Sequence, residues 1–130
     1  MAMYKLTYLG WGEHHKEVFP NRADCNRRKK FLEGYPKEQV SELKITEIND
    51  AFHISYSKLG TEYVPDEWRY GEIVRYKSVP KWYDGYEEWV ETEQEMLDFV
   101  KLMKSITNKT YGKFITEHIV NDMVVSTANF

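Results

Sequence analysis

The side chain best suited to nucleophilic chemistry is Cys25, the single cysteine of the 130-residue chain. It lies four residues after Asn21, in the first turn of a predicted helix, where the helix dipole stabilises a thiolate. His14 or His15 would then act as the base of a Cys/His pair. The competing interpretation treats Cys25 as a small buried apolar residue, and we favour it. We therefore predict no catalytic residue.

Metal or cofactor chemistry would need donor groups or loops that the sequence does not supply. The four histidines are His14, His15, His53 and His118. The first two are adjacent, so on a strand they point to opposite faces, and there is no second cysteine to help build a zinc site. A glycine-rich phosphate loop and the GxSxG and HExxH motifs are absent as well. We predict no metal, no cofactor and no enzymatic activity.

Aromatic and acidic residues alternate between positions 82 and 91, and they form the first candidate binding site. We expect the carboxylates of Asp84, Glu87, Glu88 and Glu91 to have no structural role, whereas later ones cap a helix. At most half of the interleaved rings can be core in a half-exposed sheet, because alternate residues of a strand face opposite sides. Exposed rings with acidic charge are typical of a protein-binding surface; the alternative is ordinary sheet packing plus solubility. The predicted acidic aromatic patch comprises Trp82, Tyr83, Tyr86, Glu87, Glu88, Trp89 and Glu91.

A run of basic residues in the first predicted helix is the second candidate site. Cations near the end of a helix suit its dipole, which favours a solvated helix face. The other interpretation is a contact with phosphate or with an acidic partner. The net charge of −3 and the pI of about 5.8 argue against a globally basic nucleic-acid surface. The residues concerned are Arg22, Arg27, Arg28, Lys29 and Lys30.

The chain passes twice through one predicted pattern, ββαββ, which indicates an α+β fold with mostly antiparallel sheet. The first pass has strands at 4–9, 15–19, 43–48 and 52–57, with a turn at Asn49-Asp50 between the last two, and a helix between Asn21 and Gly34. The second has strands at 72–78, 86–90, 113–120 and 123–127, and a helix that begins with a capping box formed by Thr92 and Glu95. Asp84-Gly85 predicts a hairpin turn between the first two of these strands.

Equivalent residues in the two passes are 71 positions apart, as with Trp11 and Trp82. We therefore predict two related units, residues 1–57 and 72–130, joined by a linker at 58–71 that contains Pro65 and two glycines. A unit of about 60 residues is marginally stable alone, so the units are expected to share one compact domain. The lack of a secretory leader and of a long apolar run, with one cysteine, predicts a soluble cytoplasmic protein.

Residues 4–32 form a ββα segment with a Gly-Trp-Gly turn and a basic helix, and this segment resembles the arm-type DNA-binding modules of phage integrases. The resemblance implies a sheet in the major groove with the helix behind it. Lys5 and Lys16 are the only basic residues on the two predicted strands of this segment, whereas a protein that binds phosphates needs several. Nucleic-acid binding is therefore our second hypothesis, and a small enzyme using Cys25 or a histidine is the third.

The composition as a whole is similar to that of small accessory proteins of bacteriophages: short, acidic and rich in Tyr, Trp, Lys and Glu. That resemblance implies a protein that binds and inhibits a host enzyme or an antiviral defence factor. Our first hypothesis is thus a non-enzymatic protein-binding module, with a larger host or defence protein as its partner and no membrane contact. Self-association through sheet edges is a further possibility.

Overall fold

The computed structural model describes residues 3–106 and 110–130, and this part of the chain forms two antiparallel sheets and two helices. The fold is therefore α+β and mostly antiparallel, as predicted. No helix among the described residues is long and apolar enough to cross a membrane. In chain order the elements are β1 (Met3–Gly10), β2 (Glu13–Phe19), α1 (Arg22–Glu33), β3 (Val40–Ile48), β4 (Asp50–Arg69), β5 (Glu72–Val90), α2 (Glu93–Ser105), β6 (Tyr111–Val120) and β7 (Met123–Asn129).

The first sheet has the strand order β2-β1-β3, and α1 covers one of its faces. Asn21 begins the helix because its side chain accepts a hydrogen bond from the backbone N–H of Asp24 at 2.8 Å. Gly34 ends it. Alternate residues of β1 point toward the helix, which gives the first core cluster. This cluster comprises Leu6, Tyr8, Cys25, Leu32 and Val40.

The second sheet has the strand order β5-β4-β6-β7, and α2 lies on one of its faces. The predicted capping box is confirmed: Thr92 accepts from the backbone of Glu95, and the Glu95 carboxylate accepts from the backbone of Thr92. Apolar residues at helical spacing then face the sheet. The second core cluster comprises Phe52, Ile54, Met96, Val100 and Phe114.

The predicted ββαββ organisation is not confirmed, because the strand predicted to end the first unit lies in the second sheet. Residues 52–57 belong to β4, which pairs with β5 and β6 and not with the first sheet. The observed order is ββαβ followed by ββαββ. The turn signal at Asn49-Asp50 marks the passage of the chain from one sheet to the other rather than a hairpin.

The predicted linker at 58–71 is strand over 58–69, because β4 and β5 form one long hairpin. Its turn is Tyr70-Gly71, where both residues have positive φ, at 54° and 80°. This geometry matches the right-handed twist of the strands. Pro65 and the glycines suggested a loop from the sequence. Among the described residues, however, β6 pairs with β4 only as far as Lys58, so Pro65 lies on a free strand edge, where proline is tolerated.

Asp84-Gly85 forms a bulge within β5 and not the predicted hairpin turn. The pairs Tyr56–Tyr86 and Lys58–Tyr83 leave two residues of β5 opposite one residue of β4, Ser57. Gly85 has a φ of 99°, which a side chain would oppose, and the Ser57 hydroxyl donates a hydrogen bond to Asp84. The sequence signal located a backbone conformation correctly but assigned it to the wrong structure.

The two sheets contact each other through a third apolar cluster. On β1 and on β4, the residues of this cluster point to the opposite face of the sheet from the residues that pack against the helices. The two sheets therefore meet through the faces opposite α1 and α2. The cluster comprises Met3, Val18, Ile48 and Ala51, with Trp89 and Ile119 packed against them.

Ion pairs add to this contact between the two halves. Lys5 lies 3.0 Å from Glu91, and Lys16 lies 2.9 Å from Glu91 and 2.8 Å from Glu95. Burial of the Glu91 carboxylate raises its pKa, but the ammonium groups of Lys16 and Lys5 outweigh burial and hold the pKa below its ordinary value. The depressed pKa means that Glu91 stabilises the fold at neutral pH.

We predict that Glu91→Gln lowers the free energy of unfolding at pH 7 by about 1 kcal/mol, because Lys5 loses its carboxylate partner and Lys16 keeps only Glu95. The loss should fade as pH falls through the pKa of the folded protein, where wild-type Glu91 is also protonated. Urea denaturation at several pH values measures this, with Glu38→Gln, at an exposed residue of the first half, as the control. Equal losses in both variants would refute a role for the ion pairs.

Candidate protein-binding surfaces

The structure does not place the predicted acidic aromatic patch on one surface. Trp82 and Tyr83 point to opposite faces of β5, and each ring covers a glycine. A Cβ on Gly112 would lie 3.0 Å from the Trp82 ring, and a Cβ on Gly60 would lie 2.6 Å from the Tyr83 ring. Both rings therefore fill space that glycine leaves on the sheet.

Tyr86 belongs to an aromatic cluster beside the second core. Its ring stacks on Tyr56 at 5.7 Å and meets Tyr111 edge-on at 6.5 Å. Tyr56 in turn contacts Phe99 of α2 and Phe114 of β6. Tyr86 is thus half-exposed and supports the packing of α2 on the sheet.

Three of the four carboxylates that we expected to lack a structural role have partners within the chain. Asp84 accepts from Ser57, and Glu91 pairs with two lysines. Glu87 accepts a hydrogen bond from His53 Nε2 at 2.9 Å. The fourth carboxylate, Glu88, has a pKa above its ordinary value, mainly because it is partly buried. A hydrogen bond from the backbone N–H of Trp89 lowers this pKa, and the nearby Glu17 carboxylate raises it further.

The basic residues of α1 are mostly engaged inside the chain. Arg28 pairs with Glu17 at 3.0 Å, and Arg27 pairs with Asp24 at 3.0 Å. The other contacts are Lys29 with Glu33 at 3.4 Å and the Arg22 guanidinium over the Tyr4 ring at 5.5 Å, and Lys30 is exposed. The helix therefore does not present a row of unpaired cations to a phosphate backbone.

A groove of about 600 Å³ between α1 and β5 brings parts of both predicted sites together. Arg27 and Arg28 come from the basic helix, and Glu87, Glu88 and Trp89 come from the patch. The apolar part of its lining is Val18, Phe19, Pro20 and Phe31. The Trp89 indole N–H is buried without a hydrogen-bond partner in the described residues, which makes it an unsatisfied donor beside this groove.

Cys25 and the histidines do not form a nucleophilic pair. The Cys25 side chain is fully buried in the first core cluster, and that burial raises the pKa of its thiol. His15 stacks on Tyr8 at 5.0 Å, and His14 is exposed. Within residues 3–106 and 110–130, no three His, Cys, Asp or Glu side chains are grouped to hold a metal ion.

Sequence reasoning missed the most exposed aromatic surface, which lies on the far half of the β4–β5 hairpin. Within the described residues, β6 pairs with β4 only as far as Lys58, and the Leu59 N–H then donates to the Thr110 carbonyl at 2.6 Å. Residues 59–81 continue as a two-stranded ribbon, which we call the arm. The pairs Thr61–Pro80, Tyr63–Ser78 and Pro65–Tyr76 place six uncharged residues on one face of the arm. The alternation of residue types along both strands is the sequence pattern from which this uncharged face could have been predicted.

The other face of the arm carries charges that are paired within the ribbon. Lys81 lies 3.5 Å from Glu62, and Asp66 lies 2.7 Å from Arg75 and 3.8 Å from Lys77. On the uncharged face, Tyr63 and Tyr76 retain 71% and 57% of their accessible surface. The arm is thus two-sided, with satisfied charges on one face and free aromatic rings on the other.

Comparisons with protein-family models, with curated proteins and with solved structures found no match to this chain.

We predict that Cys25 of the folded protein reacts with a maleimide slower than a free cysteine by at least about a thousandfold, because the thiol is reached only through unfolding. Labelling in denaturant should be fast. The matched control is Asn26→Cys in a Cys25→Ala background, which places an exposed thiol on the same helix. Rapid labelling of native Cys25 would contradict the structural role and revive the nucleophile hypothesis.

Proposed function

We propose that the protein is a non-enzymatic protein-binding module that engages a larger protein through the uncharged face of its arm. The observation that carries the proposal is the pair of exposed rings, Tyr63 and Tyr76, on a face without charges. Tyrosine is enriched at the energetic centres of protein interfaces because it combines a large apolar area with a polar tip. The chemistry that fits this face is an apolar cleft with hydrogen-bond acceptors for the two hydroxyls.

The length of the arm supports this proposal. Each strand continues for about ten residues beyond the part that β6 covers, which corresponds to roughly 35 Å of extended chain. A two-stranded ribbon is marginally stable on its own in water. A partner that covers the apolar face of the arm would therefore stabilise the ribbon, which supports a binding role for this face.

The resemblance to small bacteriophage accessory proteins suggests the class of partner. We propose that the module acts in the cytoplasm as an inhibitor of a host enzyme or of an antiviral defence protein, with the arm occupying a cleft that the target needs. The alternative of nucleic-acid binding through α1 has less support, since most of its cations already pair with carboxylates. An enzyme based on Cys25 has less support too, because its thiol is buried.

We further propose that the chain arose by duplication of a ββαβ unit rather than the ββαββ unit that the sequence suggested. Both sheets have the second strand, the first and the last side by side, as β2-β1-β3 and β5-β4-β6. Register shifts follow Thr7 in β1 and Ser55 in β4. Glu42 and Lys113, which are 71 residues apart, both have positive φ. Such shared irregularities are typical of related units.

The experiment that tests the binding function is affinity capture from host lysate, followed by titration calorimetry with the purified partner. We predict that the double variant Tyr63→Ser/Tyr76→Ser weakens binding by at least about a hundredfold, because each ring contributes as an interface anchor. Its fold should be unchanged, since neither ring is in a core cluster.

The matched control is Phe31→Ser, which removes a ring of similar exposure, 59%, from the groove between α1 and β5. Under our proposal this variant binds normally. Loss of binding in Phe31→Ser with full binding by the double variant would move the site to the groove, and failure to capture any protein would refute the binding function.

A further inference from the structure

We propose that two copies of this chain associate through the outer edge of β7, which joins their second sheets into one continuous eight-stranded sheet. This goes beyond the binding function proposed above and involves the opposite side of the sheet. In the described part of the chain, β7 pairs only with β6, so one edge of its backbone has no partner. Unpaired backbone groups on an outer strand are a template for another strand.

The composition of β7 favours a second copy as the occupant. Its seven residues, MVVSTAN, carry no charge, and every one is exposed. Antiparallel pairing of a strand with its own copy places identical residues near the two-fold axis, so any charge there would face a like charge. β7 avoids that repulsion. The two outer strands of the first sheet are charged by contrast: β2 carries Glu13, Lys16 and Glu17, and β3 carries Glu42, Lys44 and Glu47.

The surroundings of β7 also contain apolar surface that pairing would cover. Met123, Val124 and Val125 are exposed by half or more, and Phe130 follows them. A groove of about 410 Å³ runs between Phe130 and α2, where Leu97 and Val100 line it together with the polar Lys101, Lys104 and Ser105. Antiparallel edge pairing has its two-fold axis perpendicular to the sheet, so both α2 helices lie on the same face of the joined sheet.

Hydrogen bonding within the sheet identifies the residues that can pair outward. The Phe130 N–H donates to the Phe114 carbonyl at 2.9 Å. Hydrogen-bonded residues alternate along an antiparallel pair, so Ala128 and Ser126, two and four positions before Phe130, also direct their backbone groups toward β6. Thr127, between them, directs its backbone groups away from β6. When β7 pairs with β7 of a second copy, an outward-facing residue near the two-fold axis lies close to the same residue of that copy.

The first test is the mass of the full chain by light scattering over a concentration series. We expect a dimer that dissociates on dilution. Val124→Lys should raise the dimer dissociation constant at least about tenfold, because edge lysines oppose strand pairing. Val74→Lys on the arm is the matched control, since both valines are 51% exposed, and it should dimerise normally. Circular dichroism and thermal melts check that both variants fold.

The second test locates the contact without relying on a destabilising change. Cys25 is buried, so single cysteines at positions 124, 125, 126 and 127 provide the exposed thiols. Strand pairing brings one of them close enough to its copy for a disulfide to form under mild oxidation, since Cα atoms of paired residues are about 4.5–5.5 Å apart. Val74→Cys should not cross-link through position 74.

Several outcomes would overturn the proposal. They are a monomer at every soluble concentration, an oligomer larger than two, a dimer that Val74→Lys weakens and Val124→Lys does not, and failure of all four β7 cysteines to cross-link. None of these bears on capture of a partner by the arm, which is read from Tyr63→Ser/Tyr76→Ser. The two proposals therefore fail independently.

Discussion

The register between β4 and β5 is the constraint on which the rest of the structure depends. From Asp50 to Lys58, β4 pairs with both β5 and β6 in a sheet that α2 covers. Past Leu59, only β5 pairs with it among the described residues. The bulge at Asp84-Gly85 lies at this boundary, where Ser57 donates to Asp84. Bulges alter strand twist and redirect side chains. A slip of β5 by one residue relative to β4 would place charged residues on the face of the arm that now carries the exposed rings.

The sequence predicted local geometry well and strand partners poorly. Asn21, Gly34 and the Thr92–Glu95 capping box are local signals, and the structure has helix ends at all of them. Asp84-Gly85 predicted a positive φ, which both a bulge and a turn require. Only the long-range pairing of β5 with β4 decides between the two structures. The same pairing turned a predicted linker into strand. Propensity at Pro65 and at Gly60 was overridden by cross-strand contacts such as the Tyr83 ring over Gly60.

The candidate sites could be predicted from the sequence only in part, for the same reason. Trp82 and Tyr83 were predicted to be partner-binding residues, and in the structure each ring covers a nearby glycine. Glu87 and Glu91 have partners more than thirty positions away in the chain, His53 and Lys16, which no local pattern reveals. Tyr63 and Tyr76 went unnoticed because their shared face exists only once the hairpin is paired. The groove combines residues of α1 and β5, and these meet through packing of the two sheets.

The most direct test of this account is nuclear Overhauser spectroscopy of the free protein, because the uncharged face exists only if the arm is paired in this register. The account predicts cross-strand contacts between Tyr63 and Ser78 and between Pro65 and Tyr76. It also predicts strand-like chemical shifts over residues 59–69. Random-coil shifts there, with no contacts between the two strands, would show that the arm is a loop and that the proposed binding surface does not form.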